Sequence, residues 1–193
     1  MISSILLAAG QSKRMNGENK LTKEVRGIPL IKHSVQNILN SSIDELVVVL
    51  GYQKEIIEKL INKHEKIKFV FNQNFDSGMA SSIKIGVDNL SEKTEAFFIS
   101  LGDMPNVGEE IYNQLINSQF NNKDKEIFVP YYQERQANPI LFTKKMKDKI
   151  RQIEGDFGAK KMIADNKKKV FKFSTQNKGV ITDFNTITDF ESK

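Results

Sequence analysis

The sequence predicts an α/β fold with a mostly parallel sheet and helices on both faces, and three observations carry that expectation. Short, almost wholly apolar runs end at glycine or just before it: Ile5-Leu6-Leu7 before Gly10, Leu46 to Leu50 before Gly51, and residues 96–101 before Gly102. Strands buried on both faces read in this way. Between these runs lie stretches with apolar residues at helical spacing, so strand and helix alternate. The most informative polar residues then follow the ends of the apolar runs, where open α/β sheets hold their ligands.

In chain order, residues 2–9 form the first predicted strand. Gly27-Ile28-Pro29 is a turn in which Pro29 is placed to open a helix. Leu30, Ile31, Ser34, Val35, Ile38 and Leu39 carry that helix to about Asn40. Residues 44–50 are a second strand, 54–63 a helix with Ile56, Ile57, Leu60 and Ile61 on one face, and 67–71 a third strand. Residues 72–82 are a polar loop leading into a helix that ends near Leu90. A fourth strand at 96–101 is followed by Gly102-Asp103-Met104-Pro105 and a helix over 109–118. Two shorter strands, 127–130 and 139–142, flank a loop over 133–138. Helices over 144–153 and 157–164, strands over 170–173 and 180–183, and a last turn or helix over 186–191 complete the chain. With no internal repeat, low-complexity tract or linker, the expectation is one domain over residues 1–193.

Composition narrows the function. The chain has 193 residues, 39% hydrophobic and 27% charged, as a soluble globular domain with a real core would have. No apolar run approaches the roughly 20 residues that span a bilayer, and no signal-like segment opens the chain. A cytoplasmic protein without a membrane partner is expected. The absence of cysteine excludes disulfides, thiolate metal sites and a cysteine nucleophile. The net charge of +5 is spread along the chain, and there is no tryptophan. A nucleic-acid partner is not expected, since stacking platforms are lacking; a small anionic ligand suits the charge.

The chain is organised around its opening stretch, MISSILLAAGQSKRMNGENKL. A buried strand empties into Ala8, Ala9 and Gly10, whose small side chains let a ligand approach the backbone, and then into a loop bearing Lys13, Arg14 and Lys20. Arg14 and Lys20 offer the charge that a triphosphate requires. The stretch has neither the Gly-Lys-Ser/Thr ending of a P-loop nor a Gly-x-Gly-x-x-Gly turn. Asp103 ends an apolar strand ahead of Pro105, and a carboxylate there suits Mg²⁺, although it also reads as a turn-former. Asp183 and Asn185 add oxygen ligands on the same edge, or a capping turn before the last helix. His33 inside a helix and His64 at the end of one have no evident catalytic partner. The expectation is a nucleoside triphosphate with a cation, and phosphoryl or nucleotidyl transfer.

Six stretches, in order and spanning nearly the whole chain, resemble the MobA-like nucleotidyltransferases. LAAGQSKRMNGENKL resembles the signature L-A-A-G-x-S-x-R-M-G-x-x-K, and NFDSGMASSIKIGV resembles N-x-x-x-x-G-M-x-x-S. LGDMP, ANPILF, GDFGAK and ITDFNTITDF resemble G-D-x-P, G-H/N-P-V-L-F, G-D-x-G-A-R and D-x-D-T-P-E-D. The branch it is most similar to is that of the molybdenum cofactor cytidylyltransferases.

The resemblance implies a three-layer, Rossmann-like nucleotidyltransferase fold. It implies that Leu7, Ala8, Ala9 and Gly10 lie against the nucleotide, with Arg14 and Lys20 on its phosphates, Ser81 and Ser82 near base or ribose, and Gly78 also among the nucleotide-binding residues. Asp103 would hold Mg²⁺, and Asn138, Pro139, Gly155 and Asp156 would approach the acceptor. Leu7-Ala8-Ala9-Gly10 favours CTP, because the guanylyl members carry L-A-G-G. The implied reaction joins CMP from CTP to the phosphate of molybdopterin and releases pyrophosphate, with a molybdoenzyme as client. The alternatives are a guanylyltransferase, a transferase for sugar or alcohol phosphates, and a non-catalytic cofactor chaperone. The chain departs from the pattern at Asn16, which lengthens the loop before Lys20, at Ala137 in place of Gly, and at Asn185 in place of the second Asp.

Overall fold

The computed structural model describes residues 1–15, 17–155, 158–186 and 188–191. The strands are β1 (Ile2–Ala8), β2 (Glu24–Val25), β3 (Ile28–Pro29), β4 (Glu45–Leu50), β5 (Ile67–Phe71), β6 (Ala96–Leu101), β7 (Ile127–Tyr132), β8 (Arg135–Gln136), β9 (Ile140–Thr143) and β10 (Val170–Ser174). The helices are α1 (Leu30–Asn40), α2 (Lys54–Leu60), α3 (Met79–Asp88), α4 (Glu109–Asn121), α5 (Lys147–Arg151), α6 (Gly158–Asp165) and α7 (Thr188–Glu191).

The main sheet runs in the order β10-β7-β9-β6-β1-β4-β5, with β8 paired to β7. β1 lies parallel to both β4 and β6, and β4–β5 and β10–β7 are also parallel. β9 is reversed against β6 and β7. The reversal follows from the β7–β8 hairpin, whose turn residues Gln133 and Glu134 have φ of 45° and 63°.

Strand alternation explains the layers. Leu6, Leu46, Val48 and Phe98 pack one face against α1, α2 and α4 through Leu30, Ile31, Ile57, Ile111 and Leu115. Ile5, Val47, Val49, Phe97 and Ile99 pack the other face against α3, α5 and α6 through Ile83, Val87, Ile150 and Met162. Both faces being covered is why these strands read as unbroken apolar runs. The expected three-layer fold with a mostly parallel sheet is the one observed.

Contact between α3 and β1 is close enough to require a glycine. A Cβ on Gly86 would lie 2.3 Å from Ile5 Cγ2, and Ile5 is fully buried. Gly86→Val should therefore cost about 2 kcal/mol or more in chemical denaturation, through overpacking. An unchanged denaturation midpoint would show that the two elements can separate without loss.

Several elements differ from the expectations. Residues 180–183 do not form a strand. They fall in a 3-10 turn, Lys178–Ile181, and the irregular chain after it. The Asn177 side chain accepts the Gly179 N–H at 2.7 Å, and Val180 is buried by the turn, so an apolar pair imitates a strand without joining the ladder. The helix expected to Lys63 ends at Leu60, because Ile61 is extended. The helix expected over 144–153 begins as a 3-10 turn, Lys144–Met146, before α5. α3 begins at Met79, inside the stretch expected as loop, directly after Gly78 with φ of 106°. Among the described residues no helix is long and apolar enough to cross a membrane.

Candidate active site at the carboxyl edge of the sheet

The loop after β1 is folded back on itself by its own polar groups. The Met15 N–H donates to Ser12 O at 2.8 Å, and Met15 is buried as an anchor. The Lys20 N–H donates to Ser12 Oγ at 3.0 Å. Asn19, 2% exposed, caps the 3-10 turn Lys20–Thr22 by accepting the Leu21 N–H at 3.1 Å. These bonds hold the Lys20 backbone and leave its side chain to reach across the sheet edge.

Lys20 Nζ lies 2.5 Å from Asp103 Oδ2 and 2.8 Å from Asn185 Oδ1. The Lys20 and Asp103 side chains are each 16% exposed. Asn185 Nδ2 in turn donates to Asp183 Oδ2 at 2.5 Å, and Asp183 is exposed. Two backbone clips hold the Asp103 loop: the Gly102 N–H donates to Leu7 O and the Phe184 N–H donates to Asp103 O. Asp189 accepts the N–H groups of Asn185 and Thr186, each at 2.8 Å, and so fixes the turn that presents Asn185. Asp103 Oδ1 is buried and has no hydrogen-bond partner among the described residues.

These groups stand at one end of a cavity of about 440 Å³. Leu7, Ala8, Ala9, Gly10, Arg14 and Lys20 line one side. Gly78, Met79 and Ser82 line another, and Asp103, Asp183 and Asn185 complete the lining. Tight packing sets the floor: a Cβ on Gly51 would lie 2.7 Å from both Ala9 Cβ and Phe75 Cβ. Gly10 faces open space, with nothing within 4 Å of an added Cβ.

The donor set of Asp103, Asp183 and Asn185 fits a hard divalent cation. It combines two carboxylates, one of which keeps a buried oxygen without a partner among the described residues, with an amide oxygen, and Mg²⁺ commonly takes one or two carboxylates with phosphate oxygens and water. Among the described residues no group of three or more His, Cys, Asp or Glu forms an all-protein cage.

A sequence model of the MobA-like NTP transferase domain matches residues 4–170. The chain belongs to that family. The matched span takes in every pocket residue except Asp183 and Asn185. Among curated proteins the chain is similar to the bifunctional protein GlmU of Staphylococcus epidermidis, 26% identical over 114 residues. That match covers 58% of this chain and 25% of the relative's own length. Among solved structures it is similar to Rv0371c from Mycobacterium tuberculosis H37Rv, with a TM-score of 0.86, 20% identity, and 98% and 95% of the two chains covered. A manganese complex of Rv0371c has a TM-score of 0.81 at 18% identity, with 100% of this chain and 99% of that one covered. A nucleotidyl transferase from Methanothermobacter thermautotroptrophicus has a TM-score of 0.84 at 18% identity, with coverage of 99% and 94%.

Not every residue expected in the site lines the cavity. Ser81 lies behind it, its hydroxyl directed at the Asn74 and Gly78 carbonyls. Asn138 and Pro139 precede β9, where the Asn138 N–H donates to Val180 O at 3.0 Å; neither lines the cavity. Gly155 sits beside the start of α3, accepting the Ala80 N–H at 3.1 Å, and is likewise not a lining residue. Asp156 lies outside the described residues. His33 is spent on the Val25 carbonyl at 2.8 Å, and His64 bonds the Lys66 N–H; neither lines the cavity.

Sequence reasoning passed over Asn72. It is fully buried directly after β5, and its Nδ2 donates to Ser81 Oγ at 2.8 Å and Ser82 Oγ at 2.9 Å. Its Oδ1 accepts the Asn74 N–H at 2.9 Å, so one amide shapes the loop and orients Ser82. The signal was its position: a polar residue at the carboxyl end of a parallel strand. Asp189 and Asn19 were missed for a different reason, since local caps are indistinguishable from ordinary polar surface in a linear sequence.

Proposed function

We propose that this protein is a nucleotidyltransferase that takes a nucleotidyl group from a nucleoside triphosphate, CTP first among them, and joins it to an acceptor phosphate. The carrying observation is the convergence of Lys20 and Asp103 at 2.5 Å on the wall of a cavity floored by Ala8, Ala9 and Gly10. Family membership supports the transfer chemistry. Leu7-Ala8-Ala9-Gly10 supports CTP, and the ordered motif resemblance supports molybdopterin as acceptor and a molybdoenzyme as its destination.

In the proposed reaction an acceptor phosphate oxygen attacks the α-phosphorus of the triphosphate. The new P–O bond forms as the bond to the β-phosphate oxygen breaks, and its electron pair leaves with pyrophosphate. The attacking oxygen is already anionic, so no side chain has to remove a proton. Lys20 neutralises charge that builds around the α-phosphate, and Arg14 reaches the β- and γ-phosphates from the exposed rim. Ser82, held by Asn72, borders the part of the cavity assigned to base or ribose. A divalent cation held by Asp103, with Asp183 and Asn185 beside it, would supply Lewis-acid neutralisation of the phosphates. The manganese complex of Rv0371c supports that assignment. Gly155 and Asn138, near but outside the cavity, are assigned to the acceptor side along with Pro139 and Asp156.

A melting-temperature panel with CTP, GTP, UTP and ATP in Mg²⁺ tests the reading. CTP at about 100 times its dissociation constant should add about 2.7 kcal/mol to stability, since it binds the folded state alone. A larger shift with GTP or UTP would move the assignment to a guanylyl or sugar-phosphate transferase. No shift with any triphosphate would refute the nucleotide site. Pyrophosphate release from CTP on addition of molybdopterin then tests the acceptor.

A further inference from the structure

The Lys20 ammonium rests on the oxygens that the proposed cation requires. It contacts Asp103 Oδ2 and Asn185 Oδ1 together, and Asn185 is held in place by Asp183 through its own amide. A divalent cation drawn to Asp103 meets a positive charge already at contact distance. Two like charges at that range repel strongly in a partly dehydrated site. The Lys20 backbone is fixed by Ser12, but its four-carbon stem is a flexible carrier of a point charge. A triphosphate entering the cavity brings several negative charges past that ammonium, and it offers the ammonium an alternative partner.

We propose that Lys20 is the resident counter-ion of the cation site: it keeps Asp103 closed to divalent ions until a triphosphate draws its ammonium away. The metal then binds weakly before the nucleotide and more tightly with or after it. This rests on the nucleotidyltransferase reading and adds an order of binding to it. The ion pair also explains how the carboxylate, largely buried and with Oδ1 lacking a partner among the described residues, is tolerated. Removing one partner of such a pair leaves an uncompensated charge that seeks another cation.

The test is Mn²⁺ binding measured by electron paramagnetic resonance without nucleotide. Lys20→Met should bind Mn²⁺ at least about tenfold more tightly than the wild type. Adding Asp103→Asn to Lys20→Met should abolish the gain. Equal affinity in wild type and Lys20→Met, or a gain that survives Asp103→Asn, would overturn the proposal. A second measurement needs no variant. In NMR of the wild-type lysine ammonium groups, Mg²⁺ alone should leave the Lys20 signal in place, and a triphosphate with chelator present should move it. Movement on Mg²⁺ alone would overturn the proposal. A wild type that no triphosphate stabilises would refute the nucleotidyltransferase reading and the release step with it. The Mn²⁺ comparison contains no nucleotide and judges the counter-ion role separately.

Discussion

Replacing Asp103 by asparagine should lower the rate of pyrophosphate release by about a hundred- to a thousandfold, the scale of losing one preorganised charge contact in a transition state. Asparagine keeps nearly the same shape, and the Asp103 backbone remains clipped by the Phe184 N–H, so the fold should persist by circular dichroism. The loss has two sources. The site gives up the buried oxygen that fits a divalent ion, and Lys20 gives up the partner that holds it at the cavity wall. Full turnover by a folded Asp103→Asn in Mg²⁺ would remove Asp103 from the mechanism.

Lys20→Ala should lower kcat by about a hundredfold or more while changing KM for the triphosphate much less. The reason lies in where the side chain sits. Lys20 is held against Asp103 in the cavity wall, its side chain largely buried, where the proposed mechanism has charge develop as the α-phosphate becomes crowded. Arg14 is an exposed lining residue, and in the proposed mechanism it would bind ground state and transition state alike, so Arg14→Ala should raise KM and spare kcat. Steady-state kinetics on the two variants separates these outcomes; equal effects on kcat would erase the distinction between the exposed Arg14 and the largely buried Lys20. Because Lys20 and Asp103 touch, the double variant should cost less than the two single losses combined.

Much of this architecture was legible because it depends on pattern. β1, β4 and β6 are buried on both faces, so their residues are apolar without interruption, and the helices between them repeat at their own period. The reversed β9 and the paired dipeptides β2, β3 and β8 were not legible, because two-residue strands carry no periodicity. The stretch over 180–183 misled for a related reason: Val180 and Ile181 are apolar neighbours, yet the Asn177 cap winds them into a turn. In the site, Leu7 to Gly10, Arg14, Lys20, Gly78, Ser82 and Asp103 all line one cavity, and their roles in it belong to the proposed function. Ser81, one position from Ser82, faces away because successive helix positions point in different directions.

The linear order of residues was sufficient for the layered α/β fold and for the chemical types gathered at its carboxyl edge, since burial and strand-end position leave marks on nearby neighbours. It was not sufficient for the contact of Lys20 with both Asp103 and Asn185. Those partners are 83 and 165 positions from Lys20, and the separations are closed by sheet order and by loops clipped through backbone hydrogen bonds. Local patterns register which side chains a segment carries. Which of them meet is decided by the packing of elements far apart in the chain.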